Sequence, residues 1–155
     1  MARGARAFAQ LGVVAMIRMA EMLIERAFAV ISPRRIGDHL IGDVGCALAT
    51  DKSNVYVGVC LDLPSGLGFC AEASAIAAMI TAGEQRIAQM VAVWKDENGV
   101  VYILSPCGRC REFIAQIHSA NMETQVILAS DRAIPLRDLL PQHQLFLPLQ
   151  KSTTI

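Results

Sequence analysis

The residues best suited to chemistry stand in two short segments of this 155-residue chain. GFCAEAS contributes Cys70 and Glu72, and SPCGRCRE contributes Cys107 and Cys110. A CxxC pair fits a zinc knuckle, a redox pair or a catalytic metal site. Three thiolates suit zinc, which takes four protein ligands in structural sites and keeps one position for water in catalytic sites. Three cysteines beside one glutamate therefore favour a catalytic zinc, with Glu72 placed to hydrogen-bond that water without ligating the metal.

Both segments lie where a helix is predicted to begin. Residues 70–82 form a run rich in small residues that ends at Gly83, a residue type favoured just after a helix. Ser105 and Pro106 predict the start of a second helix over residues 107–118, with the serine as cap and the proline at the first helical position. Helix starts expose free N–H groups and carry a partial positive charge, which favours thiolate over thiol.

The surrounding elements predict a fold that brings these helix starts together. Apolar spacing predicts a first helix over residues 19–31 and a short last helix over residues 136–140. Apolar runs bounded by turn residues predict five strands, over residues 44–50, 55–61, 91–95, 100–104 and 126–129. This order predicts an α/β fold with three layers, α/β/α, in which helices cover both faces of a mixed five-stranded sheet. In such folds ligands bind at the edge of the sheet, where helices begin.

Composition restricts the partners of the chain. Hydrophobic residues make up 54% of it, but no segment reaches the roughly 18 to 20 apolar residues of a membrane span. The apolar excess instead predicts a homo-oligomer with a buried interface. Basic and acidic residues number 14 each, and Arg34 with Arg35 is interpreted as a solvated turn. A nucleic acid polymer is therefore not expected as a partner, because such partners require a basic face.

The cysteine count favours a reduced, cytoplasmic setting. Five cysteines at uneven spacing do not form a disulfide framework of the secreted type. Cys46 and Trp94 lie on predicted buried strands and are expected in the core. Cys60 is expected either to fill its strand or to line a pocket, and Phe69, next to Cys70, is expected to form a pocket wall.

Residues 1–18 are expected to be an N-terminal extension before a domain that covers residues 19–150. Early arginines and an apolar middle give this segment some likeness to a secretory signal. However, Gln10 interrupts the apolar run, and Arg18 stands where a small-residue cleavage site is required. A helical or frayed extension is therefore predicted.

Taken together, the two segments resemble the zinc-dependent cytidine deaminase family. Its signature is a ligand, any residue and glutamate, followed later by Pro-Cys-x-x-Cys. Here these are Cys70-Ala71-Glu72 and Pro106-Cys107-Gly108-Arg109-Cys110. The strand VGCALAT is similar to the first strand of that family, and LRDLLP over residues 136–141 is similar to its end. The segment LSPCGRCRE is especially similar to the blasticidin S deaminase branch.

The resemblance implies hydrolytic deamination at one zinc per chain, held by Cys70, Cys107 and Cys110. An activated water would attack the amine-bearing carbon of a pyrimidine, and Glu72 would protonate the ring nitrogen before ammonia leaves. Three thiolates leave one zinc ion with a net negative charge. Helix dipoles and a nearby arginine, Arg109 or Arg111 by this reasoning, are expected to offset that charge.

The resemblance also implies four substrate contacts. The Ala71 N–H would hold the base, and the Ser105 carbonyl would meet the departing amino group. Cys60 and Asp62 stand where the family commonly has an Asn-x-Glu pair that binds the ribose. Because a thiol cannot mimic the asparagine amide, the substrate is not fixed by the resemblance.

Several functions remain open from the sequence. The favoured one is deamination of a cytosine nucleoside, of the cytidine or deoxycytidine type. The alternatives are a blasticidin S deaminase, a deaminase of another amino-bearing nucleoside or free base, and a non-catalytic module stabilised by zinc. The resemblance implies a homo-oligomer, a tetramer with a dimer as the alternative, in which neighbouring subunits complete each pocket.

Overall fold

The computed structural model of this chain describes the backbone of residues 2–143 and the side chains of residues 16–143. This part of the chain contains four α-helices and one 3₁₀ helix: α1 (Ala2–Ala29), α2 (Ala71–Thr81), α3 (Gly108–Ile117), α4 (Leu136–Leu139) and the 3₁₀ helix Ser119–Glu123. It also contains seven strands: β1 (Arg34–Ile36), β2 (His39–Thr50), β3 (Val55–Leu61), β4 (Ile87–Lys95), β5 (Val101–Leu104), β6 (Gln125–Ala129) and β7 (Arg132–Pro135).

The strands form one mixed sheet around β2 and β4. β2 pairs antiparallel with β1, β3 and β4, and β4 also pairs antiparallel with β5. β4 and β6 run parallel, and β7 pairs antiparallel with β6. A parallel pair requires a crossover, and here the chain reaches β6 from β5 through α3.

The sheet separates two hydrophobic cores, because side chains along a strand alternate between its faces. On β2, Cys46 and Leu48 pack in the core that contains Ile76 of α2. Ala47 and Ala49 pack in the other core, which α1 completes with apolar residues that include Leu23. The helices therefore form the two outer layers, and the three-layer α/β/α fold class is confirmed.

Two glycines let the helices lie directly on the sheet. A Cβ at Gly45 would lie 2.1 Å from the Ala27 carbonyl oxygen of α1, and a Cβ at Gly58 would lie 2.4 Å from the Ala75 nitrogen of α2. Gly83 ends α2 as predicted: its φ is +81°, and its N–H donates to the Ile80 carbonyl oxygen at 2.9 Å.

The five predicted strands are present, and two short strands extend the sheet to seven within residues 2–143. Arg34 and Arg35 belong to β1 and are exposed, so the predicted turn is wrong there. β7 also was not predicted. Both added strands have three or four residues, too few for a period-2 pattern to stand out.

The predicted boundary at residue 18 falls inside helix α1, which is continuous from Ala2 to Ala29. The last residues of the predicted domain, 144–150, lie outside the described residues. Within the described part of the chain, none of the helices combines the length and the apolar character that a membrane crossing requires.

Candidate metal centre and active site

Three cysteine sulfurs meet where α2 and α3 begin. The Sγ atoms of Cys70, Cys107 and Cys110 all lie within 4.8 Å of one another, and those of Cys70 and Cys107 are 3.7 Å apart. Tetrahedral zinc with Zn–S bonds of about 2.3 Å separates two sulfur ligands by about 3.8 Å. The spacing and the all-sulfur donor set therefore fit zinc, and hard cations such as Mg²⁺ or Ca²⁺, which prefer oxygen, do not fit.

The positions of the cysteines follow from where the two helices start. Cys70 and Cys107 are the N-cap residues of α2 and α3, with extended backbone angles, and Cys110 lies in the first turn of α3. The predicted serine cap is wrong, because α3 begins two residues later than Ser105 and Pro106 suggested. Neither capping cysteine makes a side-chain capping hydrogen bond, so both sulfurs remain available to a metal.

The thiols differ in how readily they ionise. Burial raises the pKa of the Cys110 thiol, and the negative charge of Glu72 raises it further. Burial likewise raises the pKa of Cys70, with the neighbouring Cys110 thiol acting in the opposite direction. For Cys107, burial also opposes ionisation, but the approach of the Cys110 amide and of the Cys110 and Cys70 thiols outweighs it and lowers the pKa. Three thiolates so close together require a cation, and zinc fits that requirement.

Glu72 is the buried acid of this site. It lies in the first turn of α2, and only 5% of its surface is exposed. Burial raises the pKa of its carboxyl group, while its own backbone N–H and the Cys110 thiol lower it less strongly. A raised pKa makes the carboxylate a stronger base than an exposed glutamate, which suits a residue that must accept a proton and return it.

An inner chamber of about 180 Å³ joins this acid to the metal cluster. Its walls include Cys70, Cys107 and Glu72, together with Ala71 and Ser105. Its remaining wall residues come from the sheet and are Val44, Cys60, Ala92 and Leu104. Three of the four predicted substrate contacts, those at Cys60, Ala71 and Ser105, therefore line the same chamber as Glu72.

An outer cleft of about 340 Å³ adjoins the inner chamber. Asp62, the fourth predicted substrate contact, lines this cleft together with Phe69 and Arg109. Asp43, which sequence reasoning missed, lines it as well, and its Oδ1 accepts a hydrogen bond from Cys60 Sγ at 3.0 Å. The strand predicted from sequence begins at residue 44, whereas β2 begins at His39, so the prediction leaves Asp43 outside the strand.

Cys60 stands between the two spaces and lines both of them. It is 9% exposed, and burial followed by its hydrogen bond to Asp43 raises the pKa of its thiol. Both expectations for Cys60 are met, because it packs in the core that contains Ile76 and also lines the two spaces. The thiol remains a hydrogen-bond donor rather than a charged group.

The two arginines expected near the metal make hydrogen bonds to other groups. Arg111 donates to the carbonyl oxygens of Pro106 and Leu139 and to the Ser105 hydroxyl, at 2.8, 3.0 and 3.2 Å. Arg109 donates to the Gly68 carbonyl oxygen at 3.4 Å. Arg111 therefore fixes the segment that leads into α3, and Arg109 lies along the outer cleft.

Of the two residues predicted to lie in the core, one is buried and the other is exposed. Cys46 is fully buried, as expected. Trp94 is 36% exposed, and its ring stacks on Tyr102 with the ring centroids 5.4 Å apart, so the core assignment is wrong. Trp94 is the last residue but one of β4 and follows directly after the buried run Met90–Val93, an end that a strand pattern does not reveal.

Comparison with known proteins agrees with this geometry. Residues 18–126 match the family model described as the cytidine and deoxycytidylate deaminase zinc-binding region. The crystal structure of cytidine deaminase from Mycobacterium leprae is similar at 29% identity and a TM-score of 0.63, covering 79% of this chain and 97% of that one. Cytidine deaminase from Mycobacterium tuberculosis is 27% identical with a TM-score of 0.62, covering 79% and 94%. The enzyme from Burkholderia pseudomallei is also 27% identical with a TM-score of 0.62, covering 79% and 96%.

Proposed function

Since this chain belongs to the cytidine and deoxycytidylate deaminase family, it is a zinc-dependent hydrolytic deaminase, and we propose that it acts on a free cytosine nucleoside such as cytidine or deoxycytidine. The observation that carries the proposal is the buried carboxyl group of Glu72, which shares a chamber of about 180 Å³ with Cys70 and Cys107. A chamber of this size has room for a single pyrimidine ring beside the metal cluster.

In this proposal Cys70, Cys107 and Cys110 hold one zinc ion per chain. When bound, zinc would supply Lewis acidity that lowers the pKa of water. The chain itself provides the three sulfurs at helix starts, where free N–H groups and the helix dipole oppose the effect of burial, which raises the pKa of Cys70 and Cys110.

Glu72 moves the protons of the reaction. It accepts a proton from the attacking water as the new C–O bond forms, and it delivers that proton to the ring nitrogen. It then carries the second proton from the new hydroxyl group to the exocyclic amine. The C–N bond breaks, ammonia leaves, and the ring retains a carbonyl group. The raised pKa of Glu72 suits both directions of transfer.

The residues around Glu72 orient the ring. The Ala71 N–H lies at the start of α2, where backbone N–H groups have no helical partner, and it would donate to the base. The Ser105 carbonyl would accept from the amino group that departs. Arg111 holds this segment in place through its bonds to Pro106 and Ser105. Cys60 and Asp62 would meet the group attached to the ring.

The proposal also covers the oligomeric state of the protein, its cellular compartment and the role of its N-terminal residues. Exposed apolar side chains, which include Trp94 and Tyr102 on one sheet face and Phe113 on α3, support a homo-oligomer, with a tetramer favoured over a dimer. Five cysteines without a disulfide support a reducing, cytoplasmic compartment. Residues 1–18 would act as an extension of the deaminase domain through the shared helix α1.

Ammonia release tests the proposal. The zinc-loaded protein is incubated with cytidine, deoxycytidine and blasticidin S, the last because LSPCGRCRE resembles the blasticidin S deaminase branch. We expect release from a cytosine nucleoside, and we expect Glu72→Gln to lower kcat by about 10²- to 10⁴-fold. Glu97→Gln, which changes an exposed glutamate in the turn after β4, is the matched control.

The outcomes separate the candidate functions. Ammonia release from blasticidin S alone would show that the protein is a blasticidin S deaminase and not a deaminase of cytosine nucleosides. No release from any substrate by a protein that binds one zinc per chain would favour the non-catalytic module. Full activity of the Glu72→Gln variant would refute the role of this residue.

A further inference from the structure

The two spaces of the site meet at shared walls. Val44, Cys60 and Cys70 line both the inner chamber and the outer cleft. If a ring occupies the inner chamber beside Glu72, as the proposed function requires, its substituent must extend past these walls into the outer cleft. The side chains of the cleft therefore select the substituent.

The charged side chains of the outer cleft are mainly acidic. Asp43 and Asp62 contribute two carboxylates, and Arg109 contributes one cation. Arg109 is exposed, and one of its N–H groups donates to the Gly68 carbonyl oxygen. Asp62 also lines a second groove, which adds Arg35, Asp38 and His39. With a neutral histidine, these residues leave the net charge of the cleft and groove together negative.

Asp43 differs from Asp62 in how firmly it is held. Asp43 is partly buried within β2 and accepts from Cys60 Sγ at 3.0 Å, whereas Asp62 is exposed on the loop after β3. A carboxylate has about four acceptor positions, so one bond from a thiol leaves capacity for donors of a substrate. A fixed, partly buried carboxylate discriminates between substituents more strongly than an exposed one, because solvent screens it less.

We propose that Asp43, oriented by Cys60, is a specificity-determining residue that selects a ring substituent carrying hydrogen-bond donors and excludes one carrying a phosphate. The inference rests on the proposed function and narrows its substrate class to unphosphorylated nucleosides and related amino-bearing rings with hydroxyl or amine groups. Donors of the substituent bond to the carboxylate. A phosphate in the same cleft meets two carboxylates and one guanidinium, and the net negative charge that they leave disfavours it.

Steady-state kinetics on three substrates test the inference. Cytidine offers hydroxyl donors, cytidine 5′-monophosphate adds a phosphate, and 1-methylcytosine has no donor on its ring substituent. We expect the wild type to prefer cytidine over the monophosphate by about 100-fold in kcat/KM. Asp43→Asn should raise KM for cytidine by about tenfold or more and leave KM for 1-methylcytosine unchanged within about twofold.

Three variants provide the comparison. Asp62→Asn should have a smaller effect on KM for cytidine than Asp43→Asn, because Asp62 is exposed. Cys60→Ser retains a donor to Asp43 and should keep the preference for cytidine. Asp131→Asn, on the turn between β6 and β7 and away from both spaces, should match the wild type.

The possible results distinguish the role of Asp43 from the proposed deaminase function. Equal losses on cytidine and 1-methylcytosine would mean that Asp43 only supports the fold, and efficient turnover of the monophosphate would contradict the charge argument. Either result overturns the inference and leaves the proposed function standing. Absence of ammonia release from all three substrates would overturn the proposed function and this inference with it.

Discussion

The contact between α2 and β3 at Gly58 gives the sharpest test of how the fold positions the metal ligands. A Cβ at Gly58 would lie 2.4 Å from the Ala75 nitrogen and 2.6 Å from the Ser74 Cβ. Ordinary contact begins at about 3.4 Å, so Gly58→Ala must displace α2 from the sheet by about 1 Å. The nearest atom belongs to the backbone, and no side-chain rotation can relieve the clash.

The displacement has two consequences. Overpacking of this kind costs about 1–3 kcal/mol, which corresponds to a decrease of about 3–10 °C in Tm for a chain of this size. Because Cys70 begins α2, the same shift moves its sulfur relative to Cys107 and Cys110 on α3. Metal sites tolerate ligand displacements of only about 0.2–0.5 Å, so we expect zinc affinity to fall by about tenfold or more.

Thermal unfolding with excess chelator isolates the packing effect, and competition with a chromophoric chelator measures zinc affinity. Gly108→Ala is the matched control, because no atom lies within 4 Å of the added Cβ although this glycine lies next to Cys107. It should keep both properties, since alanine is favoured in a helix. A Gly58→Ala protein with wild-type Tm and wild-type zinc affinity would refute the idea that this contact sets the position of Cys70.

Three further predictions concern polar groups. Asn121 is 1% exposed and bonds to three backbone groups of neighbouring elements, so Asn121→Ala should lower the free energy of unfolding by about 2–4 kcal/mol in urea titrations. Burial raises the pKa of Glu72, so in chelator-treated protein this group favours folding below its ordinary pKa and loses that contribution as pH rises. Glu72→Gln should therefore be more stable than wild type at about pH 8, and the difference should disappear near pH 4. The raised pKa values of Cys70 and Cys110 mean that zinc binding releases protons, so affinity should rise from about pH 6 to 8 in calorimetry, and a flat profile would contradict this.

The sequence was most informative where chemistry constrains spacing. Cys107 and Cys110 must lie within about one turn of each other to share a metal. Their spacing, together with Ser105 and Pro106 before them, predicted a helix start within two residues of the observed one. The end of α2 at Gly83 was equally predictable, because a helix end with positive φ favours a residue without a side chain. The fold class followed from the order of the elements, since apolar runs bounded by turn residues marked the strands and apolar spacing marked the helices.

The sequence was least informative where position depends on neighbours distant in the chain. Asp43 belongs to the site because β2 extends beyond its apolar part and lies beside Cys60 of β3. Trp94 has the residue type of a core position, but it follows the buried run of β4 and stacks on the exposed Tyr102. Ser105 and Pro106 form a good local helix start, yet Cys107 takes the cap position and the Ser105 hydroxyl accepts from Arg111 instead.

The charge of the metal centre shows how such a tertiary arrangement changes a chemical argument. The sequence predicts that Arg109 or Arg111 offsets part of the negative charge of the three thiolates. The hydrogen bonds of both guanidinium groups go mainly to backbone carbonyls, and among the described residues none of them reaches a cysteine sulfur. Two helices of 11 and 10 residues instead start at the cluster, each with free N–H groups and about half a positive charge. Together these supply about one positive charge, which matches the single negative charge left when zinc binds three thiolates.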